Sequence, residues 1–443
     1  MATDRWARWA LVPLALLLLA GGLRLVGLGT PDRLYFDEKF YADDAHQYLE
    51  RGVERDRPAH PPLGKWLIAA GIAALGFDPV GWRVAAALAG TAAVLLTYVV
   101  GWRLFRSALA AALAATLFAV DGLALTMSRL AMLDAFLMLF VVAGVALLIL
   151  DHERTGRTWR LLAGVAFGCA VATKWSGVLA LGVAVLLVVG LELAVAGPGR
   201  SPPGGRARRI LSGVVLPLVV VPFAVYLLSW TGWFANYERT ETGRDRCDER
   251  PCAVGVADLA DAWIDEQVEL FRFQRRLEAT HEDRSSPWEW PLLTRPVLFY
   301  LEGCEDGAPG CSVVPGNQAR ILNLGNPAVW WPGMVAVALV AWVAVRRRAW
   351  PALVVAGFAL GQYVPWFASW KTGFSFYLLP ATPFVCLALG WVVWRLRRPV
   401  RVPAALTLVA LAVAGLLYFR PLWYGEETPA SVQRERTWFD TWR

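Results

Sequence analysis

Long apolar runs separated by short polar stretches set the pattern of this chain. They cover Trp9 to Leu28, Gly81 to Phe105, Ala108 to Leu125, Ala131 to Leu150, Leu161 to Ala172, Ser176 to Ala196 and Ile210 to Trp230, then Val329 to Val345, Trp350 to Phe367, Phe374 to Trp394 and Pro403 to Phe419. Lipid offers a backbone no hydrogen-bond partner, so a span must be a helix of about 20 mostly apolar residues that satisfies its own N–H and C=O groups. The pattern therefore predicts an all-α polytopic membrane protein with about eleven transmembrane helices. The strands of a membrane β-barrel alternate apolar and polar positions, and a run such as Ala135 to Leu150 does not. The first run follows Arg5 and Arg8 as a secretory signal would, but it is longer than a signal's apolar core and is read as a retained span.

Composition agrees. Of 443 residues, 57% are hydrophobic and 18% charged, too apolar for a secreted soluble enzyme or a disordered scaffold. The formal charge of +7 does not indicate nucleic acid, because the basic residues form short clusters between apolar runs and not one basic, base-stacking face. With the N-terminus in the cytoplasm, the clusters at Arg103 and Arg106, Arg154 to Arg160, Arg200 to Arg209, Arg346 to Arg348 and Arg395 to Arg401 all fall inside, as cytoplasmic loops require. The 23 Trp suit interfacial belts.

This topology divides the chain into an N-terminal membrane region at 1–230, a large extracytoplasmic loop at 231–328, a four-span region at 329–420 and an outer tail at 421–443. The segment from Thr231 to Asn326 carries 17 acidic and 10 basic residues. It also holds four of the six cysteines, Cys247, Cys252, Cys304 and Cys311, on the oxidising side. Their close spacing predicts two local disulfides, although four cysteines permit three connectivities and zinc is the rival. Leu259, Trp263, Val268, Phe271 and Leu277 recur at helical spacing among charges, the mark of a helix lying on the membrane surface or packed on its own loop.

Ionisable side chains close to a bilayer are costly, so each is a functional candidate weighed against a structural ion pair. Here they converge on the outer side. Asp37 and Glu38 follow the first span, and His60 and Lys65 frame His60-Pro61-Pro62-Leu63-Gly64-Lys65. Asp121, Arg129 and Asp134 flank the third and fourth spans, and Lys174 stands at the next outer turn. All four lysines of the chain, Lys39, Lys65, Lys174 and Lys371, fall on this side. A transport pathway would more naturally carry its charges at mid-bilayer on broken helices. Carboxylates beside cations suit transfer from a phosphate-bearing donor: a base takes the proton of an attacking hydroxyl while cations hold the departing phosphate. Adjacent residues do not share a helix face, so Asp37 and Glu38 take different parts, one meeting the acceptor and one orienting a neighbour such as a cation. Arg129, Lys174, His60 and Lys65 are the phosphate candidates, with Asp121 and Asp134 as supporting ion pairs.

In this order, these residues resemble the protein O-mannosyltransferases of the GT-C membrane glycosyltransferase class. The likeness runs through Ser128-Arg129, Leu133-Asp134, Lys174-Trp175-Ser176-Gly177, Pro287-Trp288-Glu289-Trp290-Pro291, Gly325-Asn326-Pro327 with Trp330-Trp331, and Phe374 to Pro383. It implies a GT-C fold and inverting transfer of mannose from polyprenyl-phosphate-mannose to Ser or Thr hydroxyls of proteins on the outer face of the cell membrane, the acceptors emerging from the secretion translocon. It assigns acceptor activation to Asp37 and the lipid phosphate to Arg129 and nearby cations. No metal or other cofactor is expected. The chain departs from the family in two respects: the large loop is too short for the β-trefoil MIR domain of many members, and Lys371 with Phe376-Tyr377-Leu378 stands where members carry an Arg and a Tyr-His-Tyr pattern. The competing readings are a GT-C transferase with a lipid or glycan acceptor and a non-catalytic polyprenol-lipid transporter.

Overall fold

The computed structural model describes residues 2–154, 156–196, 208–247, 255–276, 282–303, 313–369 and 372–442, with the side chains of 2–10, 195 and 196 outside that description. Cys252, Cys304, Cys311, Lys371 and Leu277 also lie outside it. Each apolar run meets a helix. The first half comprises α1 (Ala2–Leu25), α2 (Glu38–Arg51), α3 (Leu63–Leu75), α4 (Pro79–Phe105), α5 (Ala108–Ala119), α6 (Gly122–Ser128), α7 (Leu133–Glu153), α8 (Thr158–Thr173), α9 (Gly177–Ala196) and α10 (Arg208–Ser229). After the surface helix α11 (Val256–Arg276) come α12 (Pro327–Arg347), α13 (Trp350–Gly361), α14 (Thr382–Arg395) and α15 (Arg398–Tyr424).

Among the described residues eight helices are long and apolar enough to cross a bilayer, and α5 with α6, bent by 60° at Val120 and Asp121, makes a ninth. The α1 and α8 helices supply the other two of the eleven runs as shorter apolar helices. The 16 residues of α8 are only about 24 Å long. Glycines let α8 pack closely: a Cβ on Gly164 would fall 1.8 Å from the Pro217 carbonyl oxygen, so α10, π-helical over Leu211–Val220, lies directly against it.

The two ends of the bundle differ in chemistry. At one end Glu153 bridges Arg103 and Arg106, both at 2.7 Å, and Arg160 bridges Asp151 and Glu192. These are the ends where the described arginine clusters sit. At the other end the first loop, the large loop and the tail are knitted together. Arg57 pairs with Glu241 and Asp245, Gln274 donates to the Ala59 carbonyl, and Trp442 donates to the Leu293 carbonyl. A small antiparallel sheet ties the large loop to the tail in the order β1 (Val297–Gly303), β2 (Asn317–Asn323) and β3 (Thr428–Pro429). This sheet modifies the all-α expectation. β1 and β2 are short neighbours within the large loop, and β3 reaches β2 from the tail.

Candidate active site

The first outer loop is built around a buried ion pair. Arg83, near the start of α4, donates to both carboxylate oxygens of Glu38 at 2.9 and 2.7 Å, and both side chains are fully buried. The same guanidinium donates to the carbonyls of Leu28, Pro31 and Arg33, and Glu38 also accepts the Ala131 N–H at 3.0 Å. Glu38 therefore fastens the loop to α4 and to the turn before α7, the arrangement expected of whichever of the two carboxylates orients a neighbouring cation.

Asp37, one residue earlier, is at the N-cap of α2, yet its side chain makes no cap hydrogen bond. The preceding Phe36 adopts φ 52°, a left-handed conformation costly for a residue with a bulky side chain. Its ring packs 4.3 Å from Phe299 and 6.0 Å from Phe376, which holds that turn in place. The pinned turn and Glu38 hold the backbone on both sides of Asp37, whose charge acts on the Tyr41 phenol together with that of Asp134. Burial, then the Asp37 and Asp134 charges, hold the Tyr41 phenol well above its ordinary range, so it stays a neutral O–H.

Asp134 and Lys174 meet across the mouths of two antiparallel helices. Asp134 is in the first turn of α7 and Lys174 caps the C-terminus of α8, each at the helix end whose dipole favours its charge. The Lys174 ammonium donates to both Asp134 oxygens, at 3.0 and 2.8 Å, and stands 5.4 Å from the Tyr377 ring and 5.7 Å from the Phe376 ring. His60 lies with its ring 6.0 Å from that of Tyr41. His60, Lys174 and Tyr377 line one cavity of about 330 Å³, whose remaining walls include Trp175, Trp366 and the α11 residues Leu270, Phe271 and Arg275. A mostly apolar groove between α8, α9 and α10 adjoins it through Trp175 and Val178. There the Trp175 indole donates to the Tyr226 hydroxyl and that hydroxyl donates to Gln267 of α11.

Three predicted residues are placed elsewhere. Lys65 is buried and paired with Asp44 at 2.9 Å and with Glu54, which also accepts from the Tyr48 hydroxyl; burial pushes the Glu54 carboxyl up to about 8 against the pull of Lys65. Its ammonium is enclosed by carboxylates, which corrects its assignment to phosphate. The Pro-Pro-Leu-Gly-Lys motif acts through Gly64 instead, where a Cβ would lie 2.7 Å from Leu133 and 3.0 Å from Thr173, the neighbours of Asp134 and Lys174. Arg129 donates to the Leu23, Arg24, Val26 and Gly27 carbonyls at 2.8 to 3.1 Å and stacks 4.2 Å from Tyr424, closing the C-terminus of α1. It lines a different cavity, with Arg33, Tyr300 and Arg420, so the structure does not bring it together with Lys174. Asp121 has no ion-pair partner among the described residues. It caps α6 through the Ala124 N–H and accepts from the Asn326 N–H and the Trp330 indole, joining α6 to α12.

Sequence reasoning missed Arg83 and Tyr41. An arginine in the first turns of an apolar span was a usable signal for Arg83; nothing local singled out Tyr41. Cys247 is disulfide-bonded, whereas Cys169 and Cys386 are free. No three His, Cys, Asp or Glu side chains among the described residues are placed to hold a metal ion.

The family description "Dolichyl-phosphate-mannose-protein mannosyltransferase" matches residues 79–235, and "C-terminal four TMM region of protein-O-mannosyltransferase" matches residues 259–442. The polyprenol-phosphate-mannose–protein mannosyltransferases of Mycolicibacterium smegmatis and Mycobacterium tuberculosis are each 32% identical over 99% of this chain, and the match covers 94% and 93% of those proteins. The S. cerevisiae protein O-mannosyltransferase Pmt1-Pmt2 complex bound to the sugar donor has a chain that superposes with a TM-score of 0.82 at 16% identity, over 98% of this chain and 92% of that one. ArnT from Cupriavidus metallidurans bound to undecaprenyl phosphate superposes at 0.59 and 18% identity, over 92% and 63%. These two similarities are of fold. With GT-C architecture along its whole length and relatives matched end to end, the chain belongs to the protein O-mannosyltransferase family.

Proposed function

We propose that this protein transfers mannose from polyprenyl-phosphate-mannose, with inversion at the anomeric carbon, to Ser and Thr hydroxyls of proteins on the extracytoplasmic face of the cell membrane. The observation that carries the reading is the placing of His60, Tyr377 and Lys174, paired with Asp134, at a cavity that adjoins an apolar groove, with the charges of Asp37 and Asp134 both acting on Tyr41 beside His60. The groove suits an isoprenoid tail, and the ammonium of Lys174 suits the phosphate at its end.

In the proposed step Asp37 takes the proton of the acceptor hydroxyl as its oxygen bonds to C1 of the mannosyl group. The C1–O bond to phosphate breaks and the electron pair leaves with polyprenyl phosphate. The donor phosphodiester carries one negative charge and the departing monoester gains a second, so cations facing it act more strongly late in the reaction than on the bound donor. The reading uses no metal or cofactor. The separation of chemistry between the two ends of the bundle supports an N-terminus in the cytoplasm and a site outside, where acceptors emerge from the secretion translocon.

Purified protein in lipid, given a Ser/Thr peptide and labelled polyprenyl-phosphate-mannose, should yield a mannosyl peptide of inverted configuration. Label on a lipid or glycan only would favour another GT-C reaction, and no transfer under conditions where the lipid binds would favour a carrier.

A further inference from the structure

The first outer loop borders a second cavity. It encloses about 640 Å³ between the start of that loop, strands β1 and β2 and the tail, with Thr30, Arg33, Tyr300, Ala319 and Glu427 among its lining. None of these five lines the cavity of Lys174. Guanidiniums and carboxylates share its walls as pairs, Arg33 with Glu302 at 3.3 Å and Arg420 with Glu426 at 2.9 Å. Such a lining concentrates no positive charge on a phosphate, whereas paired charges and tyrosines suit the amides and mixed side chains of a polypeptide.

An aromatic row joins the two cavities and carries the Asp37 turn at its middle. A bulge in β1 between Leu298 and Tyr300 lets consecutive rings of the strand meet consecutive rings of the loop: Tyr300 stands 5.3 Å from Tyr35, and Phe299 4.3 Å from Phe36. Phe299 and Phe36 are each 6.0 Å from Phe376, which packs 5.1 Å from Tyr377. Tyr300 lines the second cavity and Tyr377 the first. Asp37 directly follows Phe36, so the proposed base stands on the partition between them. One guanidinium fixes both the wall and the turn: Arg83, which holds Glu38, also donates to the Leu28, Pro31 and Arg33 carbonyls, within the stretch that walls the second cavity.

Inversion requires the hydroxyl oxygen to approach C1 from the side opposite the departing phosphate. With the phosphate end of the donor beside Lys174, the acceptor reaches Asp37 from the far side of this partition, where the second cavity opens. We propose that this cavity is the acceptor-chain subsite: it holds an extended segment of the acceptor polypeptide next to the residue to be modified, and so presents that residue's hydroxyl to Asp37. The inference rests on the mannosyl-transfer reading for the identity of the partner and adds where that partner docks.

The test combines acceptor kinetics with photo-cross-linking on the full-length protein in lipid. Thr30 is exposed and lines the cavity, so Thr30→Trp fills the space, while Leu49→Trp puts the same bulk on exposed α2, outside both linings. Thr30→Trp should raise the KM for a long Ser/Thr peptide at least about tenfold, with kcat at saturating peptide and the KM for the lipid donor within about twofold of wild type, the signature of lost acceptor binding. A single Thr blocked at both ends, too short to enter the cavity, should be used equally by wild type and both variants, and Leu49→Trp should match wild type throughout. A long peptide with a photo-reactive residue several positions from its threonine should label wild type within 26–33, 300–302 or 424–427. The proposal is overturned if Thr30→Trp leaves the long peptide's KM within about twofold of wild type, if use of the blocked Thr falls in parallel, which would mark a distorted Asp37 turn, or if the label appears only on the walls of the Lys174 cavity. Should Thr30→Trp not fold, the label on wild type decides alone. Failure of the parent reading looks different, since wild type would then transfer mannose to neither the long peptide nor the blocked Thr, and the acceptor assignment would fall with it.

Discussion

Glu38→Gln separates the two neighbouring carboxylates by where their energy acts. Three hydrogen bonds converge on Glu38, two from Arg83 and one from the Ala131 N–H, and both members of the ion pair are fully buried. A glutamine offers one acceptor oxygen in place of two and turns an amide donor toward a donor, while Arg83 keeps its charge without a counterion. Breaking one side of a buried pair in this way costs about 3 to 5 kcal/mol of stability. Removing a general base, the role proposed for Asp37 and tested by Asp37→Asn, costs roughly 10² to 10⁴ in rate, a barrier change of roughly 3 to 5 kcal/mol. The energies are alike, but one appears in unfolding and the other in turnover. The assay is thermal unfolding and peptide mannosylation on the same lipid-reconstituted preparations. Glu38→Gln should lower the unfolding midpoint by several degrees while molecules that remain folded still turn over. Asp37→Asn, whose side chain makes no cap bond to α2, should keep its midpoint and lose turnover. A Glu38→Gln protein with wild-type stability and no turnover would refute this assignment and make Glu38 the base.

The two buried lysines should also part company. Lys174→Gln should weaken polyprenyl phosphate binding at least about tenfold, whereas Lys65→Gln, which strands Glu54 and Asp44, should chiefly lower the unfolding midpoint; equal loss of lipid binding in both would place Lys65 back in the site. Unreduced peptide maps should show Cys247 joined to Cys252 and Cys304 to Cys311, and four free thiols would end that expectation. A reporter fused after Arg347 should read cytoplasmic and one near Asp306 external; the reverse result would move Asp37 and Lys174 inside the cell.

What could be read in the sequence was whatever lipid or charge makes conspicuous. All eleven apolar runs became helices because a span in lipid has no other way to satisfy its backbone, so periodicity and length carry the information locally. Asp37, Asp134 and Lys174 stood out for the same reason, as charges at the ends of apolar runs. Partners were not legible. Lys65 and Lys174 look alike in sequence, each following an apolar or proline-rich stretch, yet Asp44 and Glu54 enclose the first while the second opens onto the cavity. Arg129 read as a phosphate ligand from the family resemblance and from its place where consecutive spans meet the outer face, but the carbonyls it meets belong to residues about a hundred positions earlier. The joining of β3 to the sheet, and the lie of α11 across the site, likewise depend on contacts between distant segments.

The separation of roles between Asp37 and Glu38 follows from how the site is built. A base must keep a free lone pair for its substrate and still be held within a narrow range of positions, two demands that one carboxylate cannot meet if its own hydrogen bonds do the holding. In the proposed mechanism the holding falls to Glu38, next to the proposed base Asp37. Glu38 spends its oxygens on Arg83 and Ala131, and Phe36, left-handed and wedged against Phe299 and Phe376, fixes the turn from the other side. Asp37 is thereby positioned through the backbone on both flanks. Asp134 and Lys174 use helix ends to the same effect, each anchored by the dipole of its own helix and by the other's charge. The expense of burying so many charges beside a membrane is therefore met in part by pairs such as Arg83–Glu38 and Lys65–Glu54, which hold the loop that carries Asp37.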